Sequence, residues 1–376
     1  MMPSMARLLL LAPLLAACSQ TEQPPPLDSA PPDLRHEAIA PDAGPPLDLP
    51  PAVDIGPDAD ASSWPDGFSP QPRNVPAGYL CTIPADYVVT GGDPVNPPCE
   101  VEADSFSVTD PNVMPSGLKL VTWNVEYGKK AAAVTSALTT DLDLVDADIL
   151  LLQEVPRQDK ESDPPNINLA RDLAQALKMN YVFAVEWDRR LQSSQGGEHG
   201  LALLTRYPIG NVELIRHTPL YNFYAEKKHF GGRATLGADI LVGGVRVRLY
   251  NAHLCTRDLI GTGREKQGAE ILADATLAGR PQAQLLGGDL NTFLCNPQLL
   301  TCNKPPWAEP VIQLFLNDGW SDLLPSFNSW TQMGVGLVPQ RLDWLFARQA
   351  TPVSGQVLQG VSAADHVPVS AVVTVP

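Results

Sequence analysis

From Leu118 onward the apolar positions change period repeatedly. "LKLVTW" (118–123) alternates and then meets Asn124, while "DILLLQE" (148–154) is a continuous apolar run ending in a carboxylate, the mark of a strand covered on both faces. "NLARDLAQALK" has helical spacing and leads into the strand-like "YVFAVE". "GLALLTRYPI", "RATLGADIL" and "VRVRLYNAHL" read as strands, the last two joined by a Gly-Gly turn. "GREKQGAEILADATL" predicts an amphipathic helix, "AQLLGGD" the next strand, and "RLDWLFA" and "VPVSAVVTV" the closing strands. Strands and helices are interleaved, so the class is α/β.

The first 116 residues follow another pattern. Segment 19–74 is rich in Pro, Asp and Ala ("PPPLDSAPPDL", "GPDADASSWPDG") and has few aromatics, so it cannot bury a core and reads as a disordered tether. Residues 75–116 form a short lead-in containing Cys81 and Cys99, with the globular domain at 117–376. Charge divides the same way. Residues 1–116 hold 3 Lys+Arg against 16 Asp+Glu, a net of −13, whereas 117–376 carry a net of −3. No broad basic surface follows, which weakens a nucleic-acid reading.

"MARLLLLAPLLAACSQ" combines one Arg, an apolar run short for a bilayer and small residues before Cys18. Leu15-Ala16-Ala17-Cys18 resembles the lipobox of bacterial lipoproteins. The resemblance implies a signal peptide over 1–18, lipidation of Cys18, export, and anchoring in the cell envelope. Ser19 is not the Asp of an inner-membrane retention signal, which favours the outer membrane. Export permits disulfides. Cys81 is expected to pair with Cys99, and Cys295 with either Cys302 or Cys255. The spacings do not fit a zinc site.

Chemistry collects at the strand ends. Asn124 and Glu126 follow the first strand, and Gln153 and Glu154 end the second. Asn251 and His253 share a strand face, Asp289 and Asn291 repeat that spacing, Asp343 opens "DWLF", and Asp365 and His366 precede the last strand. Any one such segment suits a turn; "LLGGDLNT" alone favours one. Six segments all choosing Asn, Glu, Asp or His point instead to a site. Oxygen donors such as Glu154 and Asp289 suit Mg²⁺, Mn²⁺ or Ca²⁺ rather than zinc. With two imidazoles and several carboxamides they fit hydrolysis of a phosphate ester.

In this order, "TWNVEYG", "ADILLLQEV", "HGLALLTRYPI", "NAHL", "GGDLN", "RLDWLF" and "ADHVPV" resemble the endonuclease/exonuclease/phosphatase (DNase I-like) family. The resemblance implies a four-layer α-β-β-α sandwich, two packed mixed sheets flanked by helices, and Mg²⁺-dependent phosphoesterase chemistry. It assigns the metal to Glu154 with Asp365 nearby, and the metal's waters or the phosphate to Asn124. Asp289 would orient or deprotonate water, with the "GG" before it letting the backbone approach the phosphate, and Asn291 would hold a phosphoryl oxygen. His366 would act on the phosphate, oriented by Asp343 unless that carboxylate pairs with Arg341. His253 would stabilise the transition state or protonate the leaving oxygen. Arg233 would clamp phosphate, and Asn251 would orient its neighbours or cap its strand.

"NAHL" is similar to the sphingomyelinase, deadenylase and inositol-phosphatase branches, but Thr292 and Phe293 depart from the inositol 5-phosphatases. The expected partner is therefore a phosphate-ester substrate, a nucleic acid or a phospholipid or sphingolipid head group, met by a membrane-tethered monomer. "YNFYAEKKHFGG" (221–232) would contact a base, a lipid or nothing. The competing class is a binding lipoprotein on an inactive copy of the fold. An inactive copy loses a metal carboxylate or a histidine, and Glu154, Asp289, His253 and His366 are all present.

Overall fold

Strands apolar on both faces need cover on both sides, and two stacked sheets with helices outside supply it. The computed structural model describes residues 80–82, 99–107, 109–189, 196–218, 230–256, 262–277, 279–292, 309–324, 330–333 and 339–376, all within one compact unit, Ala59–Pro376. Cys18, the 19–74 segment, Cys295, Cys302, Phe293 and residues 221–229 lie outside the described residues.

The larger sheet runs β17 (Thr351–Val357), β18 (Val369–Thr374), β3 (Leu118–Asn124), β4 (Ile149–Asp159), β7 (Glu198–Thr205), β6 (Asn180–Asp188), β2 (Val101–Asp104). Short strands β5 (Ile167–Asn168) and β9 (Phe230–Gly231) pair with β4 and β6. The second sheet runs β1 (Leu80–Thr82), β8 (Ile209–Arg216), β10 (Ala234–Val242), β11 (Val245–His253), β12 (Gln284–Asp289), β16 (Asp343–Arg348), β13 (Ser321–Asp322). A small ladder joins β14 (Gln332–Met333) to β15 (Pro339–Gln340).

Three apolar layers hold these parts. Leu120, Leu151 and Leu203 of the larger sheet meet Leu236, Leu249, Leu285 and Leu345 of the second between the sheets. Val121, Trp123, Leu150 and Leu152 face the other way, onto helices α1 (Ala131–Thr140) and α2 (Leu169–Leu177). Tyr250, Leu286, Trp344 and Phe346 do the same under α3 (Thr262–Ala275) and α4 (Pro310–Asn317). The four-layer sandwich is thus present.

Several elements differ from the sequence reading. "GLALLTRYPI" is not one strand: the chain bends at "RYP" and passes from β7 in one sheet to β8 in the other. Helices α1 and α4 and strand β17 gave no clear period, since α1 is mostly Ala and Thr and β17 is largely exposed. The lead-in takes part in both sheets, with β1 beside β8 and β2 beside β6. Cys99 is disulfide-bonded, whereas Cys255 is a free, buried thiol, so it does not pair with Cys295. The Gly243-Gly244 turn between β10 and β11 is as expected, both glycines having positive φ.

The "GG" of "LLGGDLNT" is required by packing. A Cβ on Gly287 would lie 2.7 Å from side-chain atoms of both Leu151 and Leu345, so glycine lets the sheets close on each other. Gly288 has φ +153°, and a Cβ there would sit 1.9 Å from the Ala252 carbonyl oxygen. Gly288→Ala should therefore lower stability by roughly 3 kcal/mol or more, from strain and overlap together. Urea unfolding measures this directly; an unchanged midpoint would contradict the close approach.

Candidate active site

The inter-sheet layer changes character along its length. Following alternate residues, β3 reads Leu118, Leu120, Thr122, Asn124, and β4 reads Ile149, Leu151, Gln153. β6 gives Val182, Ala184, Glu186; β11 gives Val247, Leu249, Asn251, His253; and β12 gives Leu285, Gly287, Asp289. β16 runs the opposite way, from Asp343 to Leu345 and Ala347. Each row is apolar at one end and polar at the other, and the polar ends coincide. His253, Asp289 and Asp343 stand in register across three neighbouring strands.

Glu154 departs from this alternation. By period two it would follow Leu152 onto the helical side, but the β4–β7 register shifts between Leu152 and Val155 and Glu154 adopts φ +56°. The bulge turns its side chain into the cleft, and burial raises its carboxyl.

The cleft holds about 310 Å³ and is lined by Asn124, Glu126, Tyr127, Glu154, His253, Asp289, Asn291, Asp365 and His366 among others. Asp289 lies at its floor. Its Oδ2 accepts from Asn124 Nδ2 at 3.0 Å, and its Oδ1 accepts from the Asn291 amide at 2.9 Å. The turn and the site suggested by "GGDLN" are therefore the same object. Asn291, at φ +51°, closes the turn and donates to the Leu254 carbonyl.

Two imidazoles point Nε2 at Asp289 Oδ2, His253 from 3.6 Å and His366 from 3.9 Å. Each is fixed from behind by a buried carboxylate that defines its tautomer. His366 Nδ1 donates to Asp343 Oδ2 at 2.7 Å, and His253 Nδ1 donates to Glu186 Oε2 at 2.9 Å. Arg341 pairs with Asp322 at 2.6 Å, so it leaves Asp343 to the histidine. Burial opposes charge on His366, but the Asp343 and Asp289 carboxylates outweigh it and push the imidazolium up to about 10. Burial likewise raises Asp343. Glu186 ends below the usual carboxylate range, because the charges of His253 and Arg233 overcome its burial.

One expected phosphate contact, Asn251, belongs behind the cleft. Asn251 is fully buried, accepting from Gln153 Nε2 at 2.7 Å and donating to the carbonyls of Leu152 and Ala202. Its carboxamide is consumed in tying the sheets together, which leaves nothing for a phosphate. Arg233 is 9% exposed, pairs with Glu186 at 3.2 Å and sets its Nη1 2.8 Å from Nδ1 and 2.5 Å from Nε2 of His253, where its charge also acts on Glu154 and Tyr127. Asp365 is at the rim, exposed, with Gln332 Nε2 at 3.3 Å.

Glu186 was not singled out in the sequence because "YVFAVE" reads as an apolar strand with an ordinary polar end. Tyr127 was hidden in the same way inside "TWNVEYG".

The donor set fits a hard divalent cation. Glu154, Asp289 and Asp365 offer carboxylate oxygens around one cleft, and ligand atoms of Asp289, Asp343 and His366 lie within 4.8 Å of one another. In that trio His366 Nδ1 and Asp343 Oδ2 are already bonded to each other, so the cleft-facing oxygens of Glu154 and Asp289 are the better donors.

A model of the Endonuclease/Exonuclease/phosphatase family matches residues 121–366. Similar solved structures include an endonuclease/exonuclease/phosphatase from Beutenbergia cavernae DSM 12333 (19% identity, 69% of this chain and 72% of that chain, TM-score 0.51). Another is the endonuclease/exonuclease/phosphatase from Bacteroides vulgatus (14% identity, 70% and 100%, TM-score 0.50). A third is the human Nocturnin catalytic domain with bound sulfate anion (16% identity, 74% and 99%, TM-score 0.50). No curated protein matches the chain. At these identities the structures establish the fold.

The Asp343–His366 pair has a measurable signature. In metal-free protein His366 should titrate near pH 10. Removing the neighbouring charge with Asp343→Asn should bring the midpoint down toward the ordinary value of about 6.5. Histidine ring proton shifts followed against pH report both; a wild-type midpoint below 7 would show that the pair does not form.

Proposed function

Because the chain belongs to the endonuclease/exonuclease/phosphatase family, whose members are generally metal-dependent phosphoester hydrolases, we propose that it is a Mg²⁺-dependent phosphodiesterase tethered to the cell envelope through Cys18. One observation carries the catalytic reading: two carboxylate-backed imidazoles converge on Asp289, across the cleft from Glu154.

Glu154 and Asp289, with Asp365 at the rim, would hold the cation. When bound, it neutralises phosphoryl charge and polarises the P–O bonds. Asp289, fixed through both oxygens, orients the attacking water and takes its proton. His366, an imidazolium, donates to a phosphoryl oxygen. His253, held by Glu186, protonates the departing oxygen, and Asn124 and Asn291 position the ester. Nuclease-like and phospholipase C-like diesters are the two substrate classes to be separated.

A panel of DNA, RNA, bis-p-nitrophenyl phosphate, sphingomyelin and inositol phosphates, with Mg²⁺, Mn²⁺, Ca²⁺ or chelator, tests the reading. Metal-dependent hydrolysis of a diester is expected; inertness toward all of them would refute it. Glu154→Gln should reduce turnover by ~10²-fold or more while the fold is kept, and raised Mn²⁺ should restore part of it. Full activity at ordinary metal concentrations would remove Glu154 from the metal site.

The anchor is tested separately. The lipobox-like run before Cys18 and the Pro- and Asp-rich segment after it support a lipidated N-terminus on a spacer. Among the described residues no helix is long and apolar enough to cross a membrane. Cys18→Ala should move the protein from the membrane to the soluble fraction, and equal membrane retention by the variant would end this part of the proposal.

A further inference from the structure

A third histidine–carboxylate pair stands beside the cleft and faces neither Asp289 nor solvent. His199 on β7 is 1% exposed, and its Nε2 is bonded to Asp159 Oδ2. Arg189 reaches the same carboxylate at 3.3 Å and anchors on Glu161 at 2.6 Å. The His199 ring carries Tyr127, stacked with centroids 4.5 Å apart and planes 30° apart. The Arg189 guanidinium lies 5.6 Å from the centre of the same ring.

Tyr127 is the odd member of this group. It is 37% exposed, and it lines the cleft together with Glu154. Its backbone has φ +56°, following Glu126 at +50°, a region that bulky L-residues rarely enter. Such a conformation persists where the surroundings over-determine it, and it clusters at ligand sites. Here the surroundings are a buried ion network that packing alone does not require. Its hydroxyl makes no hydrogen bond among the described residues, and the Glu154 charge together with burial holds it far above the usual tyrosine range. A phenol in that position can donate its O–H to a ligand oxygen.

We propose that Tyr127 is a substrate-contacting residue, whose hydroxyl donates to an anionic oxygen of the ester beside Glu154 and whose ring walls the adjoining group. His199 and Asp159 are positioning residues that hold the ring. The inference rests on the phosphoesterase reading.

The test compares Tyr127→Phe, Tyr127→Leu, His199→Ala and His199→Phe with wild type. It uses bis-p-nitrophenyl phosphate turnover and, independently, calorimetric titration with inorganic phosphate in Mg²⁺. Tyr127→Phe keeps the ring and should weaken both phosphate binding and kcat/KM by about tenfold, the order expected for one hydrogen bond to a charged acceptor. Tyr127→Leu should lose more, with KM rising further. His199→Ala should resemble Tyr127→Leu, and His199→Phe should recover the ring's posture and most of the activity. Wild-type phosphate affinity and turnover in Tyr127→Phe would overturn the proposal. If wild type hydrolyses no ester but binds phosphate, and Tyr127→Phe does not, the function fails while the contact stands. If wild type neither binds nor hydrolyses, both fail.

Discussion

The Asp289 carboxylate is buried where two sheets meet, and much of the surrounding structure supplies it with partners. A buried charge without partners loses several kcal/mol or more of solvation. Asn124 and the Asn291 amide satisfy its two oxygens, and two imidazoles approach one of them. Each imidazole is itself buried and needs a partner, supplied by Glu186 and Asp343. Glu186 in turn engages Arg233. Each member is held by the next, so that removing one exposes another, and Asp343 Oδ1 is itself buried without a hydrogen-bond partner among the described residues.

This set exists at the expense of core. The same strand faces that bring Leu120, Leu151, Leu249 and Leu285 together at one end bring Asn124, Gln153, Asn251 and Asp289 together at the other. Cross-sheet hydrogen bonds there replace apolar contact. Asn251, bonded to Gln153 and to two carbonyls of the facing sheet, marks the boundary between the two regimes. Gly287 keeps the sheets close enough for those bonds to form.

The α/β class and most strands were legible because their apolar periods are clean, and the site was legible because its residues end those strands. What was missed has physical reasons. Glu186 lies on a strand whose apolar run masks one inward carboxylate, and nothing local shows that His253 lies across from it. Asn251 has the right chemistry at the right strand end, but burial and partners are tertiary properties, and these place it behind the cleft floor. The alternation rule by itself would have sent Glu154 to the wrong side; only the bulge explains how it reaches the cleft. The lead-in strands β1 and β2 are three and four residues long, too short for a period to emerge.

Strand β18 lies between β17 and β3, inside the larger sheet rather than at its edge. His366 stands at its mouth, and its carbonyl accepts from Trp123 Nε1 across 243 residues of chain. During synthesis Asn124 therefore emerges long before the strand that completes its surroundings. A chain ending before His366 leaves β3 with an open hydrogen-bonding edge and sets one imidazole rather than two toward Asp289. The surroundings of Asn124 and Asp289 are therefore assembled from parts of the chain far apart in sequence, with β18 among the last to be made.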